Sequence, residues 1–262
     1  MIFKNLKINN IILKNRIVIS PMCQYSSKNG SPSKWHYQHL ENLSSTGSSM
    51  VLFESTAVEK SGKISEADMC LYNATHEKNL KKLVKFLKSK NDIKYGIQIS
   101  HAGRKGSSYE PWIKHNSPLP KKRSWKTFSA SAISRDKGWP KPTEMTKLQI
   151  KKMVQKFKNT TIRANRINFD CLEIHMAHGY LLHQFFSPIS NKRKDEYGGN
   201  FVNRSRLLHE IAREVRKAWP SHKILGARIT GSDHVKNGLS IKDAILLAKE
   251  LKKIGFDYIS VS

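Results

Sequence analysis

Short apolar runs alternate with longer stretches of helical spacing along the whole chain, and this alternation limits the fold more than any other feature. Arg16–Ser20, Val51–Ser55, Tyr95–Ser100, Asp170–His175, Ile224–Ile229 and Asp257–Val261 are β-branched or apolar almost throughout. Parallel strands covered on both faces read this way. Between them, Leu80, Leu83, Val84 and Leu87 follow i, i+3, i+4, i+7 spacing, as do Ile150, Met153, Val154 and Phe157. Leu207, Leu208, Ile211 and Val215 mark another helix. Ile241, Ala244, Ile245 and Ala248 mark a further one with Ser240 as its N-cap, and a helix is also expected over Trp35–Gly47. The pattern predicts an α/β fold around a parallel sheet.

An open doubly wound sheet and a closed barrel share this pattern, and periodicity does not separate them. Two observations favour the barrel. The first strand runs into Ser20-Pro21-Met22 and not into a G-x-G-x-x-G loop, so no Rossmann dinucleotide site is signalled. Cys23, Ser55, Gln98, His101, His175, His178 and Arg228 all sit at or just after strand ends, where barrel enzymes assemble their active sites. The chain's 262 residues suit a single barrel domain over 1–262, since such barrels take about 250. Residues 106–144, with five prolines and three tryptophans, read as an elaborated loop after strand three that packs beside the site mouth.

Composition narrows the remaining classes. The net charge of +27 comes mainly from lysines dispersed from Lys4 to Lys253, and no nucleic-acid-binding module accompanies them. A solvated lysine surface is the expected reading, with no nucleic-acid partner. No run of 18 consecutive apolar residues is present, so no membrane span is expected. Cys23, Cys70 and Cys171 are odd in number and far apart, which points to a reducing compartment, the cytoplasm.

The sharpest local segment is Glu173-Ile174-His175-Met176-Ala177-His178-Gly179-Tyr180. Two imidazoles and a phenol at a strand end can polarise a carbonyl or nitro oxygen and deliver a proton. A metal site with His183 as a third nitrogen is a rival, although the spacing matches no usual zinc pattern. A pair of structural histidines is the other reading.

This segment resembles the old yellow enzyme family of flavin oxidoreductases, and other segments match in the same order. They are Asn15-Arg16-Ile17-Val18 leading into Ser20–Tyr25, Glu54–Val58, Gln98–Lys105, His183–Asn191, Arg193–Gly199 with Asn203-Arg204, and Arg228 with Ser232-Asp233 and Gly238. Cys23 is similar to the bacterial thermophilic-like or xenobiotic-reductase-like subgroup. The resemblance implies a TIM (β/α)₈ barrel, FMN as cofactor, and NADPH or NADH as hydride donor. It implies an ene-reductase that takes small electrophilic alkenes such as enones. It places the backbone of Ser20, Pro21, Met22 and Cys23 on the flavin ring, Ser55 at its edge, and Gln98 and Arg228 at its pyrimidine end. His175 and His178 would hold the substrate oxygen, Tyr180 would protonate the α-carbon, and Tyr25 would line the pocket. The Cys23 sulfur would tune the flavin.

The sequence departs from the family after its sixth strand, Asp257–Val261. The resemblance implies two further strand–helix units carrying the flavin phosphate site, so only the first six units are expected here. It also implies a homo-oligomer for the full-length family, with the state of this chain left open. The alternative to an enzyme is an inactive barrel fragment without bound flavin.

Overall fold

The computed structural model describes residues 1–262. It opens with an antiparallel hairpin, β1 (Leu6–Ile8) and β2 (Ile11–Leu13), followed by β3 (Val18–Ile19) and α1 (Lys34–Ser44). The main strands and helices then follow as β4 (Met50–Ala57), α2 (Ala74–Lys90) and β5 (Lys94–Ser100). Two-residue strands β6 (Phe128–Ser129) and β7 (Thr143–Glu144) pair in parallel before α3 (Lys147–Ile167). The chain continues through β8 (Cys171–Met176), α4 (Leu181–Phe186), α5 (Phe201–Ala218), β9 (Ile224–Ile229), α6 (Ile241–Ile254) and β10 (Tyr258–Val261). Strands β3, β4, β5, β8, β9 and β10 form one parallel sheet in chain order. The sheet curls with its helices as a partial α/β barrel.

All six strand runs read from the sequence are present, Ile224–Ile229 with the same ends and the others with shifted ends. The helix expected over Trp35–Gly47 is α1. The hairpin β1–β2 and the short α4 were not anticipated.

The period of two along each strand sorts side chains to opposite faces. Val51, Phe53, Ile97, Ile99, Leu172, Ile174, Leu225 and Ala227 point outward into the main core with Leu80, Leu83, Phe157, Leu208 and Ile211 of the helices. On the inner face, Leu52, Cys171 and Ile224 form a separate apolar floor with Leu13 and Met50, sealed by Leu6, Ile8 and Ile11 of the hairpin. The hairpin therefore plugs the end of the sheet away from the site.

The helices begin where their caps predict. Asn73, Thr146, Asn200 and Ser240 accept from the backbone N–H three residues on, starting α2, α3, α5 and α6. Asn168 and Gly255 end α3 and α6 in the left-handed conformation.

Above the apolar floor the inner face turns polar. Gln98 Nε2 donates to Glu173 Oε1 at 2.7 Å, and the Tyr258 hydroxyl donates to Glu173 Oε2 at 2.9 Å. Gly226 stands opposite Tyr258 in the β9–β10 ladder, and a Cβ there would collide with the tyrosine ring. Gly226→Ala is expected to destabilise the fold by about 1–3 kcal/mol, as overpacking in a tight interior does. Urea denaturation followed by circular dichroism measures it.

Candidate active site

The polar inner face opens at the C-terminal strand ends, where the parallel register sets neighbours. His175 of β8 stands opposite Arg228 of β9, and Arg228 opposite Ser260 of β10. Gln98 of β5 lies beside Ser55 of β4 and Glu173 of β8. The hydroxyls of Ser55 and Ser100 hydrogen-bond to each other.

A β-bulge supports the first loop. The register of β4 against β5 shifts between Phe53 and Ser55, leaving Glu54 as the extra residue. Its carboxylate accepts from His36 Nε2 and from the Gln24 backbone N–H, each at 2.9 Å. Because His36 Nδ1 accepts from Ser33 N at 3.0 Å, Nε2 carries the hydrogen. One buried carboxylate thereby anchors the segment Ser20–Tyr25 to the sheet. Within that segment Ser20 and Met22 are exposed, while Pro21, Cys23 and Tyr25 are half-buried. Burial, with the carboxylates of Asp68 and Glu54, holds the Cys23 thiol well above its usual range. Tyr25 is pushed up in the same way. Both keep their protons at neutral pH.

The histidine segment is fixed from several sides. His175 Nδ1 accepts from the Ala177 backbone N–H at 3.2 Å, so Nε2 carries the hydrogen. The His175 ring meets His178 and Tyr180 edge to face at 5.0 and 4.9 Å. His178 adopts a φ of 58°, and its backbone N–H donates to Thr230 Oγ1 at 3.1 Å. Its Nε2 lies 2.7 Å from Ser262 Oγ. Tyr180 caps α4, whose six residues are all buried. Leu181 N donates to His101 O at 2.9 Å, and Gln184 Nε2 donates to Gly179 O at 2.7 Å and Ala102 O at 3.2 Å. Burial raises the Tyr180 phenol well above its usual range. The rival set with His183 does not converge. His183 Nδ1 accepts from Gly179 N at 2.7 Å, and its Nε2 lies 2.9 Å from Asp233 Oδ1.

Tyr25 and Tyr180 share a cavity of about 390 Å³ with Lys105, Arg135, Ile64, Ser108 and His115. A larger groove of about 580 Å³, bordered by Lys151, Arg213 and Lys217, contains none of these groups. Sequence reading gave no role to Glu173 and Glu54, which it met only as members of motifs, and did not single out Asp68. Glu173 bonds Gln98, Glu54 holds the first loop, and Asp68 accepts from Ile64 N, Ser65 N and Ser65 Oγ behind the mouth. For Glu54 and Glu173 a carboxylate inside a buried strand was the available signal, whereas Asp68 lies in the loop between β4 and α2 and carried none. The Arg193–Gly199 motif is architectural. Arg193 forks onto Asp195 and donates to Ala130 O and Met145 O, binding β6 and the end of β7 to the start of α5.

The donors fit a flavin ring. Arg228 has no carboxylate ion-pair partner and reaches only Ser262 Oγ at 3.5 Å. The Gln98 amide oxygen has no protein donor, and its amide nitrogen is held by Glu173. His175 Nε2–H has no protein acceptor. A cation, an amide acceptor and an imidazole donor, left unpaired along adjacent inner strand ends, suit an electron-rich ring that gains negative charge on reduction.

The comparisons agree with this geometry. The model of the NADH:flavin oxidoreductase / NADH oxidase family matches residues 1–262. The NADPH dehydrogenase of Listeria welshimeri is 40% identical over 263 residues, covering 100% of this chain and 72% of the relative. That of Geobacillus sp. is 39% identical over 264 residues, with the same coverage. Among solved structures, a 2-naphthoyl-CoA reductase bound to 2-naphthoyl-CoA superposes with a TM-score of 0.88 at 25% identity, covering 100% of this chain and 40% of that one. Morphinone reductase superposes with a TM-score of 0.85 at 20% identity, covering 99% of this chain and 71% of its own. Fold and site together define a flavin-dependent oxidoreductase on α/β-barrel strands. The chain belongs to the NADH:flavin oxidoreductase / NADH oxidase family. Its cofactor is FMN, with a nicotinamide nucleotide as hydride donor. No helix is long and apolar enough to cross a membrane.

Both site histidines are held neutral. Burial, then His178 and Arg228, takes His175 well below its usual range, and burial with Arg228 and Lys105 takes His178 from 6.5 to about 4. Each therefore binds a proton more readily in the unfolded chain. Their contribution is full above pH 6.5 and is lost progressively as pH falls toward 4. Asp68 acts in the opposite sense, since burial raises it from 3.8 to about 7. His178→Gln is expected to lose less of its urea midpoint than the parent between pH 7 and 5. Equal losses in parent and variant would exclude this linkage.

Proposed function

We propose that this chain carries the first six strand–helix units of an eightfold TIM barrel, as one FMN-binding domain with residues 106–144 as its inserted loop. We further propose that it reduces the activated C=C bond of α,β-unsaturated carbonyl compounds with hydride from NADPH. The observation that carries the reading is the convergence of the unpaired Arg228, Gln98 and His175 groups beside Tyr180. The relatives named NADPH dehydrogenase support NADPH over NADH.

Bound FMN supplies the hydride chemistry. The backbone of Ser20, Pro21, Met22 and Cys23 would lie along the ring, with Ser55 at its edge. Gln98 would accept from the pyrimidine end through the oxygen that Glu173 leaves free. Arg228 would stabilise negative charge there without a competing carboxylate. The neutral Cys23 acts as a polar thiol contact and not as a thiolate nucleophile. His175 presents Nε2–H to the substrate carbonyl, and His178 adds a second imidazole, so that charge developing on the oxygen is shared. Tyr180 keeps its proton until the α-carbon needs it, because burial disfavours the phenolate. Tyr25 lines the substrate cavity together with Tyr180.

The test is an FMN titration of the purified 262-residue chain followed by visible absorption, then turnover with NADPH and cyclohexenone. A bound-flavin spectrum and turnover are expected. Tyr180→Phe is expected to keep FMN while losing about 10²-fold or more in alkene reduction, the scale of general acid catalysis. A colourless protein that ignores added FMN would overturn the reading.

A further inference from the structure

The cavity mouth carries more positive charge than polarising one carbonyl requires. Lys105 and Arg135 both line it, and no aspartate or glutamate does. Lys105 donates to the His178 carbonyl oxygen and sits 5.5 Å from the centre of the Tyr180 ring. The Arg135 guanidinium stacks 4.4 Å over Trp139, which fixes its plane and leaves its edge for a ligand. Neither cation is in an ion pair. The neighbouring Asp136 accepts from the Lys137 backbone N–H. Asp68 lies behind Ile64 with its oxygens taken by Ile64 N and Ser65. Ser108, Asn116 and His115 add polar groups around the same space.

We propose that this mouth is an anion subsite, in which Lys105 and Arg135 receive a carboxylate carried by the alkene substrate at the end remote from the reacting carbonyl. The preferred substrates are then unsaturated carbonyl compounds bearing a second, ionised carboxyl group. The inference rests on the ene-reductase reading of the same site. Two cations held near one another without a counter-charge are costly in the free protein. Burial and the charges of Arg135 and Arg104 lower Lys105 to about 8. A bound carboxylate relieves that cost and takes charge-assisted hydrogen bonds from both side chains, in a cavity that Tyr25 and Tyr180 also line. Lys105 sits just past β5 and Arg135 in the 106–144 segment, so the selectivity depends on how that segment folds over the site.

Calorimetric binding of 4-acetylbenzoate and 4-acetylbenzamide tests this without turnover. The two ligands share shape and ketone and differ in charge. The chain is titrated at low salt with and without saturating FMN. The carboxylate is expected to bind about tenfold more tightly than the amide, a preference that Arg135→Gln and Lys105→Gln each reduce to about threefold or less. The exposed pair Lys121→Gln/Lys122→Gln is expected to keep it, which separates the pocket from the general basic surface. Circular dichroism verifies the fold of each variant, and Arg135→Gln alone decides if Lys105→Gln does not fold. Equal binding of the two ligands overturns the proposal. So does a preference that survives Arg135→Gln, or one that falls equally in the surface variant. Adenosine 2′-monophosphate tests the other anion source. Dependence on Arg135 as strong as that of the carboxylate ligand would assign the cations to the nucleotide, and the proposal fails. Failure to bind FMN would overturn the enzymatic reading while leaving the carboxylate preference to be read on the same samples.

Discussion

A carboxylate inside a sheet must be hydrogen-bonded on every side, and Glu173 is the group around which this sheet is registered. It takes one donor from Gln98 on β5 and another from Tyr258 on β10, reaching past Gly226 on β9. Slipping β8 by one residue would send Glu173 into the apolar layer beneath the helices and bring Ile174 to the inner face. The desolvation cost of an unpaired carboxylate excludes that alternative. With the register held, His175 two residues on must emerge beside Arg228. The site therefore follows from a structural pairing one layer below it.

The remaining groups are held by loops, and each loop is anchored by a buried polar contact. Glu54 binds the first loop through the bulge it creates. Glu59 accepts from His101 at 2.9 Å and from Ser61 at 2.6 Å, and pairs with Lys156 of α3. Gly103, at a φ of 61°, lets the backbone approach the Gln184 amide where a Cβ would collide. These contacts supply the overdetermination that lets Tyr25 and His178 occupy left-handed backbone conformations.

The sheet was legible because its strands are buried on both faces and read as unbroken apolar runs. The helices were legible because each has a single wet face. The hairpin Leu6–Leu13 has three-residue strands, too short for a pattern to emerge. Segment Leu181–Phe186 is buried all round and so shows no amphipathic period. The candidate site was read from the sequence through its resemblance to a family. From chemistry alone, the segment His175–Tyr180 also fitted a metal site or structural histidines. The geometry that bears on these readings is long-range: His183 turned toward Asp233, the Ala177 amide fixing the His175 tautomer, and Arg228 without a carboxylate. Glu54 was legible as part of a motif, but not its bond to His36, because pairing across 18 residues depends on the bulge.

Tyr180 sits at the head of a helix with no solvent face. Leu181, Leu182, Phe185 and Phe186 all belong to the main core, and Phe186 packs edge-on against Phe201 of α5. The proposed proton donor thus inherits its coordinates from the same packing that keeps the protein folded. Substitutions that reshape this aromatic cluster, remote from the cleft and chemically inert, would read in a genetic screen as lesions of the chemistry. In this molecule the boundary between a structural and a functional residue runs through a single short helix.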